Sequence, residues 1–140
     1  MLFNYCDALC IFGTLIAINQ MKNKGGKGME NEQEIMQLIM HGGDARSYCM
    51  KAIQAAEIAD FEQSDQQLAA AKEAIDCAHI AQTKLIQAEM RGEPTTINLL
   101  MVHAQDHVMN AMTIHDLAHH IITTKKEVAA LKNHTKELVG

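Results

Sequence analysis

TINLLMVHAQDHVMNAMTIHDLAHHIITTKKEVAALKN, residues Thr96 to Asn133, runs thirty-eight residues without a glycine or proline. Its apolar residues recur at helical and not strand spacing, which predicts one long helix. A heptad seam reads Leu100, His103, His107, Asn110, Ile114, Leu117, Ile121, Thr124, Val128 and Leu131. A second apolar stripe, Met101, Val108, Met112 and Ile122, lies on a different face. If the helix packed against its own chain on one face only, the other apolar face would stay exposed, so self-association through this helix is expected.

Two further helices precede it. From about Asn31 to Asp60, Ile35, Ile39, Cys49, Ala52, Ile53 and Ala56 keep helical spacing, with Gly42 and Gly43 inside the run marking a close backbone contact or a bend. Ser64 followed by Gln67 fits a capping box and sets the expected start of helix two. The seam of that helix is Leu68, Ala71, Ile75, Ala78, Gln82 and Leu85, and it ends near Met90 before Arg91-Gly92-Glu93-Pro94. The expected fold is all-α, an antiparallel three-helix bundle that self-associates.

Composition agrees with one helical domain. Of 140 residues, 48% are apolar but only 4% aromatic, with ten Met, one Pro and no Trp. A net charge of −5 argues against nucleic acid, which needs a basic stripe. Residues 1–28 differ from the rest. Their apolar run, Ala8 to Ile18, is shorter than the roughly 20 residues of a membrane span, and Asp7 before it with Lys22, Lys24 and Lys27 after it do not make a secretory signal. Residues 1–28 are expected to be an extension outside the fold, with Met29 as the natural start and residues 29–140 as the domain. Cys6, Cys10, Cys49 and Cys77 lack C-x-x-C spacing, which fits a reducing compartment, and Cys49 and Cys77 are expected to pack as small apolar side chains.

Within the long helix, His103, Gln105, Asp106, His107 and Asn110 crowd into eight residues, and the i, i+3, i+4 spacing puts His103, Asp106 and His107 on adjoining turns. Three readings follow. Polar seam residues can fix helix register in a non-enzymatic interaction module. Two His at i, i+4 with an acid between them are similar to zinc-hydrolase motifs, although the acid is Asp and no third ligand is evident. A neutral imidazole can instead accept a phosphoryl group, because its nitrogen is a good nucleophile near pH 7. Metal stoichiometry separates the first two: none, or one per chain.

Leu100-Met101-Val102-His103-Ala104-Gln105-Asp106-His107 resembles the signature of the IIA component of the lactose/cellobiose class of the sugar phosphotransferase system. Gly43-Asp44-Ala45-Arg46-Ser47 and Ala78-His79-Ile80-Ala81-Gln82-Thr83-Lys84-Leu85 carry the resemblance into helices one and two, over about Glu34 to Glu127. It implies a cytoplasmic homotrimer of three-helix protomers. His103 would take phosphate from the phosphocarrier protein HPr and pass it to a cysteine of the IIB component. Asp106 from three subunits would bind one divalent ion, Mg²⁺, which wants about six oxygens. His107 would orient the site, with Gln105, His79 and Gln82 in support. Val108 and Asn110 depart from the family's usual Leu and Thr. His115, His119 and His120 and the terminal charges, Lys125, Lys126, Glu127, Lys132, Lys136 and Glu137, read as solvated surface. Sugar selection belongs to a membrane component, so lactose, cellobiose and chitobiose carriers fit the resemblance alike. No Arg or Lys of helix three lies near His103, so the phosphoryl charge must be met from another helix, another subunit or the partner.

Overall fold

Small residues set the architecture. In the computed structural model, which describes residues 29–139 except Pro94 and Thr95, three helices follow one another: α1 (Met29–Glu57), α2 (Phe61–Met90) and α3 (Leu99–Val139). No strand occurs among the described residues, and none of these helices is long and apolar enough to cross a membrane. The expected extension at residues 1–28 lies outside the described residues.

The core is built in layers. Leu38 of α1 meets Ala81 and Leu85 of α2 and Ala104 and Val108 of α3. Ala45, Ile75 and Ala111 form the next layer, then Cys49, Ala71 and Ala118, then Ala52, Ala56 and Ile122. Residue numbers rise together in α1 and α3 and fall in α2, so the bundle runs up, down, up. One alanine or cysteine per helix at most layers lets the three backbones approach closely, and large side chains enter mainly where the layer leaves room.

The loop between α1 and α2 closes differently from the capping-box expectation. Ala59 takes a left-handed φ of 63° to reverse the chain, and Asp60 caps α2 by accepting from the Gln63 amide at 3.1 Å. Ser64 lies one turn inside α2, fully buried, its hydroxyl donating to the Ala52 carbonyl at 2.8 Å. The hydroxyl therefore ties α2 to α1 and caps nothing. Asn98 accepts from the Met101 amide at 2.9 Å and so caps α3 three residues later than the expected start.

The two stripes of α3 exchange roles. Val108 and Ile122 are 1% and 3% exposed, and Met101 and Met112 pack on the same core. In the heptad seam, Leu117 and Leu131 are 56% and 66% exposed. The second stripe is the intramolecular core, and the seam carrying His103 is divided: Leu100 and Ile114 pack on that core, whereas His103, Asn110, Leu117 and Leu131 stay uncovered.

The cysteines divide as well. Cys49 is buried and its thiol pKa is pushed up to about 11 by burial, whereas Cys77, also expected to pack, is exposed. Under iodoacetamide at pH 8, Cys77 is expected to be alkylated in the native protein and Cys49 to stay unmodified until the chain unfolds, since only the thiolate reacts. Peptide mass mapping checks this; rapid native labelling of Cys49 would contradict the packing of that layer.

Candidate functional site

Asp106 occupies the middle of the open face. At about 100° per residue, Val102, Leu99, Thr113, Leu117 and Thr124 all fall within about 40° of its direction, while Ala104, Val108, Ala111 and Ile122 point the opposite way. Asp106, Val102, Met109, Asn110, Leu117 and Ile121 are exposed. A carboxylate thus sits inside a field of exposed apolar side chains, and among the described residues no Lys or Arg pairs with it.

His103 and His107 stand one turn apart on the α1 flank of that face. Their Nε2 atoms are 3.1 Å from each other, and the rings meet edge to face with centroids 4.5 Å apart. With both rings neutral, one Nε2–H donates and the other nitrogen accepts, so the accepting ring presents an oriented lone pair. His103 is exposed and His107 half-buried. Burial, and then the charge of His103, hold the His107 pKa below the ordinary imidazole value; Asp106 pulls it up and Arg46 pushes it down.

The half-buried His107 is positioned by a glycine. A Cβ on Gly42 would lie 3.0 Å from the His107 carbonyl carbon and 3.1 Å from its Cβ and carbonyl oxygen, so α1 presses its backbone on α3 at this residue. Gly43 meets nothing within 4 Å, so the expected close contact belongs to Gly42 alone. Gly42→Ala should gain up to about 1 kcal/mol of helix propensity but lose more by pushing two helix backbones apart, for a net destabilisation of about 1–2 kcal/mol. A urea midpoint at or above that of the wild type would refute the contact.

The remaining expected support residues lie elsewhere. Gln82 donates to Gln105 at 2.6 Å, and His79 Nε2 lies 3.3 Å from the Met112 sulfur. These contacts join α2 to α3 on the flank away from His103, because Gln105 and His103 differ by about 160° around the helix. Within one protomer the structure therefore brings together His103, His107 and the Asp106 face, and it sets Gln105, Gln82 and His79 apart. Arg46 is the residue near His107 to which the sequence had given no role. Its signal was weak: a basic residue one turn after Gly42.

His103 and His107 supply two donors for a zinc ion, and among the described residues no group of three His, Cys, Asp or Glu could hold one. His115 is half-buried with Nδ1 3.6 Å from Asp116, and His119 and His120 are exposed. Lys126 is less solvated than expected, binding Asp65 of α2 at 2.7 Å. Such an exposed pair adds little stability, about 0–1 kcal/mol.

Comparison with known proteins bears on the same segment. The family described as "PTS system, Lactose/Cellobiose specific IIA subunit" matches residues 33–126. The chain is 50% identical over 99 residues to the lichenan-specific phosphotransferase enzyme IIA component of Bacillus subtilis (strain 168), covering 71% of this chain and 90% of that protein. It is 40% identical over 99 residues to the cellobiose-specific EIIA component of Lactococcus lactis subsp. lactis (strain IL1403), covering 71% and 85%. The crystal structure of the PTS cellobiose-specific enzyme IIA from Bacillus anthracis superposes with a TM-score of 0.71 at 46% identity, over 73% of this chain and 94% of that one. The matched span holds all but the first four residues of α1, all of α2, the histidine pair and Asp106, and the chain belongs to the lactose/cellobiose-specific IIA family of the sugar phosphotransferase system.

Proposed function

We propose that the chain is a cytoplasmic phosphocarrier whose His103 takes a phosphoryl group from phospho-HPr and delivers it to a cysteine of the IIB component. The observation that carries this reading is the pair of Nε2 atoms 3.1 Å apart on an open helix face. In the first transfer the hydrogen bond between the two rings opens and frees the His103 Nε2 lone pair; the donor's N–P bond breaks as a bond from that pair to phosphorus forms, and water takes no part. In the second, the His103 N–P bond breaks as a cysteine sulfur attacks, and His103 recovers its lone pair. With His103 protonated at Nδ1, His107, its pKa lowered by burial, donates its Nε2–H to the His103 Nε2 before transfer and so fixes the ring that presents the attacking nitrogen. Exposure of His103 suits a group that must meet two different proteins in turn.

The same reading makes the protein a homotrimer about the open face of α3. Exposed Val102, Met109, Leu117, Ile121 and Leu131 need a cover, and Asp106 in their midst needs a counter-charge. One protomer offers a single carboxylate there, whereas three would give oxygen donors suited to a hard divalent ion such as Mg²⁺. Bound by the three Asp106 carboxylates, such an ion would neutralise their repulsion and hold the subunits in register. In a closed ring the His103 flank of one α3 meets the opposite flank of the next, so Gln105, Gln82 and His79 would serve the neighbouring subunit's site.

The relatives named for lichenan and cellobiose favour β-linked glucosides as the sugars carried by the partner transporter. Reconstitution with phosphoenolpyruvate, enzyme I and HPr tests the carrier role. One acid-labile phosphate per chain is expected, and a chain that takes up none overturns it.

A further inference from the structure

α1 holds a cation that the fold leaves uncommitted. Arg46 lies one helical turn after Gly42, and residues four apart share a helix face. Gly42 is the residue pressed on the His107 backbone, and Ala45 packs in the layer of Ala111, one turn beyond His107. Arg46 is thereby set on the α1 flank one turn beyond His107, and its charge acts on that ring, whose Nε2 lies 3.1 Å from the Nε2 of His103. Ion pairs occupy Lys72, Lys84, Arg91 and Lys126, but among the described residues no carboxylate pairs with Arg46. Asp106, whose charge also reaches His107, lies on the open face and is exposed.

A half-buried guanidinium acting on an imidazole, with no carboxylate in bonding range among the described residues, is an unfavourable arrangement by itself. It becomes favourable when a dianion enters. We propose that Arg46 binds the oxygens of the phosphoryl group carried on His103, so that one protomer supplies both the nucleophile and its counter-charge. The inference rests on the carrier reading above. No bond to Arg46 forms or breaks during transfer; its planar fork gives two charge-assisted hydrogen bonds to phosphoryl oxygens, which the point charge of a lysine matches only in part.

The equilibrium between phospho-HPr and the chain reads this directly, because stabilising the phosphorylated state shifts it while a packing role does not. At a fixed ratio of phospho-HPr to HPr, the ratio of phosphorylated to free protein is expected to fall about 10- to 100-fold in R46Q, the effect of losing hydrogen bonds to a charged group. R46K should recover part of the loss. R46M keeps the apolar stem and separates loss of charge from loss of packing; it should behave as R46Q does, and the ³¹P resonance of the phosphohistidine should move in both. Wild-type equilibrium and resonance in R46Q and R46M, with the wild-type chain taking up one phosphate, overturn the inference and leave the carrier reading standing. A wild-type chain that takes up no phosphate overturns both.

Discussion

His103→Ala is expected to abolish phosphate uptake from phospho-HPr, a loss of more than about 10³-fold, because the proposed covalent acceptor is gone. His107→Ala keeps the label but slows its arrival by about 10- to 100-fold, the usual cost of losing a group that orients a reacting residue. The contrast is the informative part. The two rings share one hydrogen bond at 3.1 Å, so geometry alone treats them as equals; exposure does not. His103 stands open to a partner, whereas His107 is half-buried with its backbone against Gly42. Radiolabelling followed by acid and alkali treatment checks both variants, since a phosphohistidine is lost in acid and kept in alkali. Label retained in His103→Ala and lost in His107→Ala would reverse the assignment.

Asp106→Leu is the second large effect. Bound divalent ion, expected at one per three chains in the wild type, should disappear, while the proposed trimer persists with a thermal midpoint above that of the metal-free wild type. Three carboxylates brought together without a cation repel by about 1–4 kcal/mol per pair at 4 Å, depending on how much water screens them. Leucine removes that repulsion and extends the apolar field of Val102, Met109 and Leu117. Each fully buried leucine adds about 1.5–3 kcal/mol. Sedimentation and metal analysis together decide the matter: a wild-type protein that sediments as a monomer without metal would defeat the proposed place of Asp106 on a shared axis.

The sequence made much of the bundle legible. The α2 seam of Ala71, Ile75, Ala78 and Leu85 is the buried face of that helix, and Gln82 within it pairs with Gln105 across the helix contact. The i, i+4 spacing of His103 and His107 was enough to place the rings side by side, because helix geometry is local. What failed on α3 was the choice between two apolar stripes. Both satisfy helical periodicity, and the larger side chains of the heptad seam drew attention from Ala104, Ala111 and Ala118. Those alanines repeat every seven residues, and they are the side along which α3 approaches the other helices. Ser64 misled for a related reason, since its hydroxyl looks like a local cap but serves a carbonyl on another helix.

The sequence by itself determined three helices, their approximate limits, the seam of α2 and the adjacency of His103, Asp106 and His107, all of which depend on contacts within a few residues. Only the tertiary structure decided which face of α3 is covered, that Gly42 and not Gly43 bears on His107, and that the charge of Arg46 reaches His107. Those facts depend on how residues far apart in the chain pack at a given layer, and packing depends on side-chain volume at the crossing point, which periodicity does not encode.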